Sequence, residues 1–165
     1  MNGHGTMTYS SGRKYVGMFS NGYISGYGTM TYTDGSKYIG MFLNNFYDGE
    51  GTMIYPDGSK YIGDFKKIDS NYNRELKNIV TVRDSGMKHG KGTMYYQDGS
   101  KYTGKFINDF MHGHGSMIYA DGSEYTGSFK EGLFHGYGVF KDKEKLIHSG
   151  HWSEGKLINP TKNYF

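Results

Sequence analysis

The stretch Gly51-Thr-Met-Ile-Tyr-Pro-Asp-Gly-Ser-Lys-Tyr-Ile-Gly-Asp-Phe65 reads as a β-hairpin. Two short runs rich in β-branched and aromatic residues flank the turn cluster Pro56-Asp57-Gly58, which is a strong hairpin signal. A three-residue loop fits it best: a type I turn pre-set by Pro56, followed by Gly58 in the left-handed region. That loop sets Tyr55 opposite Ser59, Met53 opposite Tyr61 and Gly51 opposite Gly63, all on one side of the sheet.

The same sentence recurs. Copies begin at Gly5, Gly28, Gly51, Gly92, Gly115 and Gly138, 23 residues apart except for one step of 41. Removing 18 residues, about 67–84, restores the register at that step. Asp34-Gly35, Asp98-Gly99 and Asp121-Gly122 repeat the turn chemistry, and Ser11-Gly12 approximates it. The last copy has Lys141-Asp142-Lys143-Glu144 and is expected to turn less sharply. A fixed short period means an array in which each unit packs mainly on its neighbours. Six hairpins predict an all-β, elongated, single-layer antiparallel sheet of about twelve strands, with glycine-rich return loops of seven to nine residues between hairpins. At ~4.8 Å per strand the sheet would be on the order of 55 Å long. The array is assigned to residues 1–155 and a tail, read as a cap, to 156–165. Within the insertion, Asp69–Asn78 is expected to hold a short helix and Ile79–Val82 a strand.

The paired glycines need a packing reason, because glycine is a poor strand former. They predict a lane without side chains, bordered by Tyr38, Tyr61, Tyr102 and Tyr125 on one side. On the other runs the row Phe19, Phe42, Phe65, Phe106, Phe129 and Trp152. Either these rings lie down over the glycines or a partner segment lies along the lane. The opposite face carries Lys14, Lys37, Lys60 and Lys101 in one row, half-solvated.

Composition narrows the function. Of the 165 residues 35% are apolar, 17% are aromatic and 27 are glycine, so the apolar material is concentrated in rings. With no cysteine there is no disulfide frame and no thiolate site, which suits a cytoplasmic compartment. A net charge of +3 does not by itself call for a polyanion, and no nucleic acid partner is expected. No run approaches ~20 apolar residues, so membrane contact would be peripheral.

Written in another frame, the repeat is Tyr125-Thr-Gly127, then Gly132, then His135-Gly-Tyr-Gly138. Tyr102-Thr-Gly104 leads likewise through His112-Gly-His-Gly115 to Asp121-Gly122. This resembles the MORN (membrane occupation and recognition nexus) motif over about residues 2–155. Departures are Ser25 and Asp48 in place of His, Asn45 and Asp109 in place of the spacer glycine, and His148 in place of the opening tyrosine. The resemblance implies a twisted sheet with a groove, and a role in protein scaffolding, membrane-associated or cytoskeletal complexes, or phospholipid binding.

No chemistry emerges from the polar residues. His89, His112 and His135 share one repeat position, but equivalent sites lie two strands, ~9.5 Å, apart. Nitrogens sharing one zinc must lie within about 4 Å. No metal site, cofactor or catalytic constellation is therefore expected, and serine and aspartate sit where turns need them. The leading expectation is a non-catalytic scaffold that binds a helical or extended partner segment along the aromatic–glycine face. The alternative is a peripheral protein reading anionic headgroups through the lysine row. An open sheet also leaves edges at Gly5–Tyr9 and His148–Trp152. The tail is expected to cover the second, and the first to support weak self-association.

Overall fold

The computed structural model describes residues 2–67 and 86–161. It is all-β: β1 (Gly3–Thr8), β2 (Lys14–Ser20), β3 (Tyr23–Thr31), β4 (Lys37–Leu43), β5 (Phe46–Ile54), β6 (Lys60–Lys66), β7 (Met87–Tyr95), β8 (Lys101–Ile107), β9 (Phe110–Ile118), β10 (Glu124–Lys130), β11 (Leu133–Lys141), β12 (Ile147–Ser153) and β13 (Lys156–Pro160). These thirteen antiparallel strands form one open sheet in chain order, and no helix occurs among the described residues. Two compact units divide the chain, Met1–His89 and Gly90–Phe165, with the division falling inside β7. The helix and strand expected within the insertion lie outside the described residues.

The hairpin turns follow the expected chemistry. The amide of Gly58 donates to the Tyr55 carbonyl at 3.0 Å, and the Tyr55 amide to the Ser59 carbonyl at 2.9 Å. Gly58 has φ +85°, the left-handed conformation that closes a three-residue loop. Asp57 then folds back: its Oδ1 accepts from the amide of Ser59 at 2.9 Å and from its hydroxyl at 2.7 Å. Asp34 and Asp121 hold Ser36 and Ser123 in the same way.

Two expectations are corrected here. The last hairpin is as tight as the others: Lys145 donates to the Asp142 carbonyl at 2.9 Å and takes φ +67° in the glycine position. Backbone geometry won over residue preference at that site. Left-handed backbone at a non-glycine residue costs about 1–2 kcal/mol. Lys145→Gly is therefore expected to raise stability by roughly 1 kcal/mol, less glycine's extra unfolded-state entropy, measurable as a higher urea midpoint.

The return connections among the described residues are not loops. They are a second set of hairpins, closed by two residues that both have positive φ: Asn21-Gly22 (49° and 84°), Asn44-Asn45 (49° and 73°), Asn108-Asp109 (49° and 72°), Glu131-Gly132 (51° and 86°) and Glu154-Gly155 (48° and 79°). Such paired left-handed residues match the twist of the flanking strands, and Asn-Gly is their strongest sequence signal. Asn21-Gly22 carried that signal openly. Because the returns pair, β3, β5, β9 and β11 run to nine residues.

The tail supplies the thirteenth strand. β13 pairs with β12, Pro160 lying opposite Gly150, and the Thr161 amide beyond it donates to the Ser149 carbonyl at 2.7 Å. The tail therefore extends the sheet instead of folding over β12 as a cap, which makes β13 the last strand; proline, which cannot donate, sits within it one residue before the final bond.

The glycine lane is present in both units. In the first, Gly5, Gly17, Gly28, Gly40, Gly51 and Gly63 pair successively across β1 to β6. In the second, Gly92, Gly104, Gly115, Gly127, Gly138 and Gly150 do so across β7 to β12.

Candidate binding surface

Rings fill the lane. A Cβ placed on Gly51 would lie 2.5 Å from Tyr38 Oη and 2.6 Å from its Cε2, and one on Gly115 would lie 2.5 Å from Tyr102 Oη. Tyr15, Tyr38, Tyr102 and Tyr125 each lie over a glycine pair, and these four and Tyr61 donate to the carbonyl three residues on: Tyr15 to Met18 (2.9 Å), Tyr38 to Met41 (2.8 Å), Tyr61 to Asp64 (2.9 Å), Tyr102 to Lys105 (3.0 Å) and Tyr125 to Ser128 (3.0 Å). The bond has a structural cause. Register slips between Gly17 and Phe19, Gly40 and Phe42, and Gly127 and Phe129, so Met18, Met41 and Ser128 have no opposite residue on the return strand. The hydroxyl occupies a carbonyl that the bulge took out of regular pairing.

The phenylalanines wedge edge-on between these rings. Tyr38 meets Phe42 and Phe65 at 5.1 and 5.0 Å, and Tyr125 meets Phe129 and Trp152 at 5.1 and 5.5 Å, the preferred T-shaped arrangement. Trp152 also donates its indole N–H to the Gly138 carbonyl at 3.1 Å. Burial keeps the floor phenols neutral: the pKa values of Tyr102 and Tyr125 are pushed up to about 12 and that of Tyr38 is raised by the same desolvation.

This arrangement overturns the expected site. Phe19, Phe42, Phe65, Phe106, Phe129 and Trp152, with Tyr38, Tyr61, Tyr102 and Tyr125, are all buried, Trp152 the most accessible of them at 7%. They are the core of a single-layer sheet and present no surface for a partner to hold. A glycine lane next to aromatic rows fits an occupied lane as well as an empty one, and the sequence alone could not separate the two.

On the lane face, what can be touched is the layer above; the other face exposes Tyr27 and Tyr137. In two repeats the residue four positions before the opening glycine sits on the floor tyrosine: Tyr47 stacks on Tyr38 and Phe134 on Tyr125, both with centroids 3.6 Å apart. In the first unit this layer is closed, with Ile24 and Tyr47 each 1% exposed and the Tyr32 and Tyr47 hydroxyls in contact. Lys88 takes the same repeat position, its Nζ 3.5 Å from the Tyr55 hydroxyl and 5.9 Å from the Tyr61 ring centre. In the second unit the layer is open: Met111, Phe134 and Phe140 are half-buried, while the hairpin-mouth tyrosines are half-buried in both units, Tyr32 and Tyr55 as much as Tyr96 and Tyr119. Sequence reasoning passed over these residues because they fell in segments read as loops. Their signal was an apolar residue recurring two positions after these return turns.

The lysine row lies on the other face. Lys14 and Lys37 flank Thr31, and Lys37 and Lys60 flank Ile54, so each pair is separated by an intervening strand. In the second unit Lys101 stands 5.4 Å from the Tyr95 ring centre. The carboxylates of Asp57 and Asp98 are engaged within their own turns, on Ser59 and Ser100. Among the described residues no group of three His, Cys, Asp or Glu is placed to hold a metal ion.

The MORN repeat family profile matches residues 1–12, 15–37, 38–60, 85–101, 102–124 and 125–143, more than half of the chain. The chain belongs to the MORN-repeat family. No curated protein matches it. Among solved structures it is similar to the TCP domain of SAS-4 (dCPAP) of Drosophila melanogaster in complex with a proline rich motif of Ana2 (dSTIL), with TM-score 0.36 and 12% identity over 90% of each chain. It is also similar to the TCP10 domain of Danio rerio CPAP, with TM-score 0.32 and 16% identity over 95% of this chain and 71% of that one.

The turn carboxylates and floor phenols define the pH range of this MORN sheet. Hydrogen bonds from the hydroxyl and amide of Ser59 hold the Asp57 carboxyl below its ordinary value, those from Ser123 do the same for Asp121, and His148 does so for Asp142. Depressed carboxylates contribute stability above the unfolded value near 3.8, lost as pH falls through the folded values. Phenols raised by burial behave oppositely: their contribution is complete below the unfolded value near 10 and is lost as pH rises towards about 12. The urea midpoint is expected to fall at both ends. Asp121→Asn should flatten the acid limb, and absorbance at 295 nm should show Tyr102 and Tyr125 ionising only with unfolding.

Proposed function

We propose that this MORN array is a non-catalytic scaffold that binds a partner polypeptide on the aromatic layer above the glycine lane, in the second unit. The observation that carries this reading is the difference between the units at one repeat position. Ile24 and Tyr47 are buried, whereas Met111 and Phe134 stand half-open over an already complete core. Partly exposed aromatic and methionine side chains on a rigid base are what interface anchors need, since little ordering is left to lose on binding. Any membrane-associated or cytoskeletal setting enters through the partner, following the family's associations.

Photo-crosslinking tests the reading. A crosslinker at position 134 should capture the partner polypeptide, while one at position 37, on the lysine face, should not. The competing lipid reading predicts sedimentation with anionic vesicles at low salt, reversed at high salt and weakened by Lys37→Glu with Lys60→Glu. Crosslinking from position 37 alone, or vesicle binding without polypeptide binding, would defeat the scaffold assignment.

A further inference from the structure

The open layer of the second unit is bounded on both sides by turns, and those turns are acidic. On the side of the three-residue loops stand Asp98 and Asp121; on the side of the two-residue returns stand Asp109, Glu131 and Glu154. The corresponding returns of the first unit hold Asn21, Asn44 and Asn45, which are neutral. Asparagine is well suited to left-handed backbone and glutamate is not. Glu131 (φ 51°) and Glu154 (φ 48°) nevertheless occupy that conformation. The strand lysines Lys101, Lys105, Lys130 and Lys141 alternate with the floor residues Tyr102, Phe106, Phe129 and Phe140 and so belong to the opposite face, as do Lys91, paired with Lys105, and Lys156, paired with Ser153 next to Trp152. The last hairpin breaks the pattern with Lys143, itself paired to Glu144 at 3.9 Å.

Resting on the scaffold reading, we infer that the second unit's aromatic layer takes a basic amphipathic helix, its apolar stripe on Met111 and Phe134 and its lysines or arginines towards the acidic turns. The dimensions agree. A seven-residue strand such as β8 spans roughly 23 Å, so a helix about 10–12 Å across fits between the two lines of turns. Long basic side chains cover the remaining few ångströms on each side while their stems lie along the apolar surface. Equivalent turns recur every second strand, ~9.6 Å, and seven residues of helix advance ~10.5 Å. A basic residue once per two helical turns on each flank therefore meets one acidic turn after another.

Three synthetic helices with the same leucine stripe test this, with flanks of lysine, glutamine or glutamate, titrated against the full chain by fluorescence anisotropy at low and high salt. The lysine helix should bind, the glutamate helix should not, and the glutamine helix should bind on the order of 10-fold more weakly than lysine. In the triple variant D109N, E131Q, E154Q the lysine helix should lose about that same factor along with its salt dependence, while the glutamine helix is unaffected. Met111→Ser with Phe134→Ser should abolish binding of both. Equal binding of the lysine and glutamine helices overturns the charge assignment and leaves the scaffold reading standing. Failure of all three helices, or binding that survives Met111→Ser with Phe134→Ser, overturns both. Circular dichroism of each variant verifies that the sheet is intact.

Discussion

Gly51→Ala is expected to destabilise the first unit by on the order of 3–4 kcal/mol, far more than a methyl group on a strand normally does. The added Cβ falls 2.5 Å from Tyr38 Oη and 2.6 and 2.7 Å from two ring carbons, so the ring must lift. Lifting it breaks the bond to the Met41 carbonyl, a loss of about 1 kcal/mol. It also disturbs the stack on Tyr47 and the edge contacts with Phe42 and Phe65, each worth roughly 0.5–1.5 kcal/mol. Gly35→Ala is the comparison. Nothing lies within 4 Å of a Cβ there, but φ is +87°, so only backbone strain of about 1–2 kcal/mol applies. Thermal unfolding separates the two, because 1 kcal/mol moves the midpoint of a unit this size by ~4–8 °C. Equal losses at the two glycines would show that the lane has room and that the rings do not seal it.

The repeat made most of the fold legible before any coordinates. Glycine at a constant offset on both arms of each hairpin specified the register, and Gly51 does face Gly63. Asp-Gly at the turn specified the three-residue loop, and Gly58 does close it in the left-handed conformation. Legibility ended where meaning depended on what lies above the sheet. Tyr38 and Phe42 were visible as an aromatic row, but a row beside a glycine lane has the same pattern whether it waits for a partner or packs on itself. The returns failed differently. Asn21-Gly22 is a hairpin turn, yet Glu131-Gly132 and Asn44-Asn45 dilute that signal, and pairing of neighbours compensates for their poorer chemistry. Missing the returns meant missing Met111 and Phe134, which lie just beyond them.

Tyr125→Ala should cost the second unit about 3–5 kcal/mol, the range for emptying a buried aromatic site, against roughly 1–2 kcal/mol for Tyr125→Phe. The difference measures the ring as distinct from its hydroxyl. Phenylalanine forfeits only the 3.0 Å bond to the Ser128 carbonyl. Alanine also removes the plate on which Phe134 stacks at 3.6 Å and against which Phe129 and Trp152 stand edge-on. It further uncovers the Gly127–Gly138 pair, which has no side chains of its own with which to collapse into the space. Trp152, the chain's one tryptophan, reports the event directly: its ring loses a neighbour 5.5 Å away, and its emission should move to the red in native buffer for Tyr125→Ala while staying in place for Tyr125→Phe. The same substitution should weaken helix binding at Phe134, because the open layer is held up by the floor beneath it. If alanine costs no more than phenylalanine, the tyrosine ring is not what fills the lane, and the support for Phe134 must come from Phe129 and Trp152 alone.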